Sequence, residues 1–216
     1  MGAIDQEVLL YINGNYNPYF DVLMSLISGK LVWLPLYLII LYEMYRRLSF
    51  SWQLLAVLTT IGITFFLTDF CCSQIVRPVF MRLRPVCIDN PVHSLVHAVE
   101  GYREGKAYGF PSCHASNTFG LATLVWLFFR NKWNTLAMFS WATIMCYSRV
   151  YLGVHYPGDV AVGALLGFLL GLAVYVLSRL AQRKLFGSEI VLEKEKPLTA
   201  YAVVVMFIAL AVVAIF

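Results

Sequence analysis

Apolar runs long enough to cross a bilayer dominate this chain, and that property restricts what it can become. A helix needs about 20 residues to span the hydrocarbon core. Six stretches of 17 to 23 residues meet that need: 27–45, 52–74, 111–129, 133–149, 157–179 and 198–216. Lipid offers the backbone no hydrogen-bond partners, so such runs fold as helices. The expectation is an all-α integral membrane protein, a six-transmembrane-helix bundle forming one domain over 1–216. Residues 5–20 read as a short interfacial N-terminal helix ahead of the first span. Composition agrees, with 60% hydrophobic and 13% charged residues, against about 25% charged in soluble domains. Gly163, Gly167 and Gly171, four apart in the fifth span, form a small-residue stripe suited to close helix packing. The modest net charge of +4 is scattered along the chain, which argues against nucleic acid as a partner.

The basic residues set an orientation. Six spans place Arg46, Arg47, Arg130, Lys132, Arg179, Arg183, Lys184, Lys194 and Lys196 on one side. The other side holds Lys30, Arg77, Arg82, Arg84, Arg103, Lys106 and Arg149, three of which are candidate site residues. The positive-inside rule makes the first side cytoplasmic and sends both termini outward. The opening segment lacks the basic n-region of a secretory signal and the Ser or Thr that myristoylation requires at position 6.

Three polar islands fall on the outward side: RPVFMRLRP at 77–85, FPSCHASN at 110–117 and YSRVYLGVHYPGD at 147–159. They lie within two loops, 75–110 and 147–159, and at the head of the third span. Titratable groups at membrane junctions are costly to desolvate and mark function. Arg77, Arg84 and Arg149 are permanent cations with forked donors suited to phosphate oxygens. Pro111 fits a first helical turn, which would point the N–H groups of Cys113 and His114 outward at the positive end of a helix, beside the Ser112 hydroxyl. His155 and Asp159 are four apart, so the carboxylate can hold one ring nitrogen and leave the other as a nucleophile. His114, on another span, is then available as an acid.

These residues resemble the type 2 phosphatidic acid phosphatase superfamily, whose site is similar to that of the vanadium haloperoxidases. Its pattern is Lys, six residues, Arg-Pro; then Pro-Ser-Gly-His; then Ser-Arg, five residues, His, three residues, Asp. Arg77 with Arg84-Pro85 matches the first element with Arg in place of Lys, and Pro111 to His114 matches the second with Cys113 in place of Gly. Ser148-Arg149, His155 and Asp159 match the third without departure. The resemblance implies that His155, oriented by Asp159, attacks phosphorus to form a phosphohistidine while His114 protonates the leaving oxygen. Arg77, Arg84, Arg149, Ser112 and the 113–114 backbone would hold the equatorial oxygens. It implies no metal and no cofactor, since three arginines do the electrostatic work of a divalent ion and would repel one. Of the two departures, Arg77 would seat phosphate slightly farther out, and Cys113 would be strained if its backbone needs a positive φ.

The implied activity is a lipid phosphate phosphatase of the bacterial inner membrane, acting on a phosphomonoester or diphosphate at the periplasmic face. The basic loop 86–110 favours lipid A phosphate; undecaprenyl diphosphate, phosphatidylglycerophosphate and phosphatidic acid are the alternatives, as is phosphotransfer to another lipid. Other features have plainer readings. His93 and His97 read as part of a short interfacial helix facing headgroups or water, and Asp69 as a buried counter-ion or structural acceptor. Arg82, Arg103 and Lys106 are either solvated or attract a substrate with several phosphates. Cys87 and Cys113 flank one loop and could pair if it faces an oxidising space. The sequence sets no oligomeric state.

Overall fold

A computed structural model describes residues 2–99, 101–102, 107–187, 190, 192 and 196–215, the side chain of residue 186 apart. Arg103, Lys106 and Lys194 therefore lie outside the described residues. The architecture is all helical, and the only β pairing among the described residues is an isolated bridge between Leu83 and Tyr108.

The N-terminal segment is two helices rather than one, α1 (Ala3–Gly14) and α2 (Pro18–Ser28). Asn17 starts the second, its Oδ1 accepting the Phe20 N–H at 2.9 Å ahead of Pro18, whose missing N–H costs nothing at that position. The expected first span, 27–45, is broken near its start. α2 ends at Ser28, and after Gly29 and Lys30 the turn Leu31–Trp33 leads into α3 (Leu34–Leu48), with a bend of 69° between the two arms. Pro35 falls in the first turn of α3, where proline is favourable, so it opens a helix instead of kinking one.

α4 (Trp52–Phe70), capped by Ser51, runs on through a π-helical turn (Cys71–Val76) into α5 (Arg77–Phe80). α6 (Cys113–Phe129), α7 (Lys132–Tyr151), α8 (Pro157–Phe186) and α9 (Leu198–Val213) complete the bundle. Among the described residues two helical runs, Trp52–Phe80 and Pro157–Leu185, are long and apolar enough to cross a membrane, and a third if the bent α2–α3 pair counts as one. α6 is seventeen residues long, eleven of them buried, and its His, Ser, Asn and Thr residues dilute the apolar signal.

α6 is the central helix, packed against α4, α7 and α8. Its contact with α8 is the glycine stripe. A Cβ at Gly163 would stand 2.4 Å from the Ser112 carbonyl oxygen, and one at Gly167 would stand 2.0 Å from that of Ser116. Only glycine permits this approach. At the opposite end of the bundle from residue 113, buried Glu43 of α3 gathers α7 and α9: Oε1 accepts from Arg47 at 3.0 Å, and Oε2 from the Thr199 N–H at 2.9 Å, from the Thr199 hydroxyl and from Asn134 Nδ2 at 3.5 Å. Asn134 in turn accepts the Ala200 N–H at 3.1 Å, which ties the start of α9 to the start of α7.

Candidate active site

The three islands meet at one end of the bundle, where α5, the head of α6, the tail of α7 and the head of α8 converge. Local sequence explains the placement. Ser112 is the N-cap of α6, its Oγ accepting the Ala115 N–H, so Cys113 and His114 occupy the first turn, half-buried beside the cavity. Pro157 opens α8, and Asp159 folds back to accept the Tyr156 N–H at 3.0 Å, which sets Oδ2 3.4 Å from His155 Nδ1. That spacing is longer than a well-formed hydrogen bond, and the Gly109 backbone closes over the same edge of the ring.

His155, His114, Arg77, Arg84 and Cys113 line the head of a cavity of about 750 Å³. Burial and the facing guanidinium groups of Arg84, Arg149 and Arg77 hold the His155 imidazole well below its usual pKa, so it is neutral near pH 7. Arg77 donates to the Pro111 carbonyl at 3.1 Å and to Cys113 Sγ at 3.0 Å, while its Nε is buried without a partner. Arg149, 6% exposed, donates to the Ser28 hydroxyl and lies over the Tyr102 ring, and its Nε is likewise unpartnered. Guanidinium groups have only donors to offer, so these orphans fit an anion. Ser112 and Arg149 stand behind the cavity wall rather than on it.

The two departures from the sequence pattern meet each other. Cys113 sits in ordinary helical backbone with no positive φ, so the anticipated strain is absent, and its sulfur receives the extra donor that arginine brings. The Cys113 thiol neighbours Cys72 rather than Cys87, and all five cysteines are free.

Several residues do not behave as the sequence implied. Residues 92–99 contain only the turn His93–Leu95 and no interfacial helix. His93 Nδ1 lies 2.9 Å from the Val86 carbonyl, and His97 stacks on Tyr16 at 3.6 Å with Nε2 2.9 Å from Asp21, so both are held by protein. Asp69 is no buried counter-ion: it is exposed into the cavity, without hydrogen bond or ion pair among the described residues. Arg82 is neither solvated nor aimed at substrate. It donates to Asp159 Oδ1 at 2.7 Å and Asp5 Oδ2 at 2.5 Å, with its guanidinium 3.8 Å above the Tyr156 ring. Asp5 reaches the site from α1 and also accepts the Gly158 N–H at 2.7 Å.

A helical membrane bundle that surrounds a neutral imidazole with guanidinium groups defines a class of site suited to a phosphate ester. Sequence comparison agrees: residues 50–183 match the PAP2 superfamily, and the chain belongs to it. The chain is 40% identical over 179 residues to the lipid A 4'-phosphatase of Bacteroides thetaiotaomicron, covering 82% of this chain and 78% of that protein. It is 30% identical over 185 residues to the lipid A 4'-phosphatase of Porphyromonas gingivalis, covering 86% and 77%. Two crystal structures share the fold. Aquifex aeolicus LpxE superposes with a TM-score of 0.59 at 22% identity over 81% of this chain and 96% of that one. A PAP2-type phosphatidylglycerolphosphate phosphatase from Bacillus subtilis gives 0.61 at 24% identity over 84% and 87%.

Proposed function

We propose that this protein is a lipid phosphate phosphatase that hydrolyses a phosphomonoester of lipid A. The carrying observation is the cavity, which begins among Arg77, Arg84, His114 and His155 and continues past Tyr37, Leu58 and Leu121 into an apolar interior. Such a shape takes a phosphorylated headgroup at one end and hydrocarbon at the other. Relatives named lipid A 4'-phosphatase support the choice of lipid.

In the proposed reaction His155 Nε2 attacks phosphorus and the bond to the lipid oxygen breaks. His114 gives that oxygen its proton. Water, deprotonated by the same imidazole, then attacks the phosphohistidine and releases inorganic phosphate and free His155. Arg77, Arg84 and the Cys113 backbone stabilise the charge on the equatorial oxygens from the cavity wall, Arg149 and Ser112 support them from behind it, and Asp159 steadies the ring. No divalent ion enters this scheme, so activity should persist in EDTA.

Six crossings, with α1 lying at the interface and residues 1–216 acting as one domain, complete the reading. Site and basic helix ends lie at opposite poles: Arg47, for example, stacks on Phe129 at 4.6 Å beside the Glu43 cluster. The positive-inside rule then turns the site toward the periplasm of a bacterial inner membrane. The decisive test follows phosphate release from purified lipid A in detergent, with His155→Ala beside the wild type. The variant should lose release while still binding the lipid, and full activity would refute the assignment of the nucleophile. Trapping labelled phosphate on an acid-labile nitrogen of the wild type checks the intermediate.

A further inference from the structure

One face of the α4–α5 run changes character in steps. Leu58, Ile61 and Phe65 line the deep part of the cavity, then Asp69, then Ser73, then Arg77 at the phosphate end. The residues succeed one another at intervals of three or four, so they form a single stripe. The π-helical turn Cys71–Val76 lies between Asp69 and Arg77 and contains Ser73, and residues 69, 73 and 77 all line the cavity. Tail, linker and phosphate of a lipid would lie in that order along the stripe. At about 1.5 Å per residue, Asp69 sits about 12 Å from Arg77 along the axis.

Asp69 is an unusual group to find there. A carboxylate within a membrane span is costly unless something pairs with it. Asp69 has no hydrogen bond or ion pair among the described residues and opens onto the cavity. An ionised carboxylate only accepts hydrogen bonds. A lipid whose linker carries amide N–H or hydroxyl donors would satisfy it. A lipid joined only through esters would present carbonyl oxygens, leave the carboxylate unpaired and repel it.

We propose that Asp69 is a specificity-determining residue that selects lipid phosphates bearing N–H or O–H donors between phosphate and chains over ester-linked glycerolipid phosphates. The inference rests on the phosphatase reading above and narrows its substrate class. Ser73, one turn nearer the phosphate and 3.1 Å from Gln74 Nε2, adds an adaptable partner to the same stripe. Sites built to pair with a substrate donor reject analogues that lack it, by up to about 10⁴-fold when buried. Asp69 is exposed rather than buried, so a ratio of about tenfold is expected.

The test compares kcat/KM of the full-length protein for ceramide 1-phosphate, which carries an amide N–H and a hydroxyl, with phosphatidic acid of matched chains, which carries neither. Wild type should favour the ceramide by about tenfold, and Asp69→Asn, which can donate to an ester carbonyl, should bring the ratio close to one. An unchanged ratio in the variant, or no preference in the wild type, overturns the proposal. Phosphate release from lipid A, run alongside, separates the two claims. Absent release with the ratio still governed by Asp69 removes lipid A as substrate and upholds the role of Asp69. Release from lipid A with a ratio indifferent to Asp69→Asn removes the role of Asp69 alone.

Discussion

Arg82→Ala tests how the proposed nucleophile, His155, is held in place. Arg82 does not line the cavity, yet its two terminal nitrogens hold Asp159 at 2.7 Å and Asp5 at 2.5 Å, and Asp159 is the carboxylate beside His155. Asp159 is 0% exposed and Arg82 18% exposed. Removing one partner of a fully buried pair costs about 3–5 kcal/mol, and the partial exposure of Arg82 lets water recover some of that, leaving about 2–3 kcal/mol. The released carboxylate would swing from the imidazole, and a misplacement of about 1 Å can cost about 10²-fold in rate. The expected result is a fall of about 10²-fold in kcat with KM nearly unchanged, together with a lowered thermal midpoint in detergent. Arg82→Lys keeps one of the two bonds and should recover part of the rate. Steady-state kinetics on one lipid phosphate, with unfolding followed by fluorescence, measures both effects. A raised KM at constant kcat would refute the reasoning, because it would make Arg82 a substrate contact.

Two further outcomes follow from the same geometry. His155 is kept neutral by burial and by Arg84, Arg149 and Arg77, so the acid limb of kcat/KM should lie well below the ordinary histidine value of about 6.5. Arg84→Ala removes a cation, makes protonation easier and should move that limb to higher pH; a limb that stays put in a pH–rate profile would contradict the electrostatic account. Gly109→Ala places a Cβ 2.9 Å from Arg84 Cγ and 3.3 Å from both His155 Nδ1 and Asp159 Oδ2. It should reduce kcat about tenfold, and cost about 1–3 kcal/mol of stability; wild-type turnover would show that the loop yields freely.

The residues proposed for the chemistry were legible because charge is scarce in this chain: Arg77, Arg84, His114, Arg149, His155 and Asp159 stand out against apolar surroundings, and their spacing carried a pattern. Their supports were not. Nothing near Asp5 announces a partner at residues 82 and 158, because that link depends on α1 folding back across the bundle mouth. Asn13 works the same way, donating to the Tyr151 and His97 carbonyls at 2.7 and 2.8 Å. Gly109 reads as an ordinary loop glycine until the packing of three side chains around it is seen. The break after Ser28 was hidden because both arms are apolar, and hydropathy is blind to a change of direction. The histidines at 93 and 97 misled for a related reason: a four-residue spacing of apolar and polar groups suits a helix, but here side chains from α1 and α2 hold the segment outside one.

The carbonyl oxygens of Ser112 and Ser116 fill the places that side chains at 163 and 167 would take, so α6 and α8 cannot slide past or part from each other without losing contact along their length. His114 lies in the first turn of one of those helices and the His155–Asp159 turn opens the other, so the spacing of the two imidazoles is set by backbone touching backbone from the helix heads downward. On the other side of the cavity Tyr37 and Leu41 of α3 face Leu58 and Phe65 of α4, an apolar wall along which the chains of a lipid would lie.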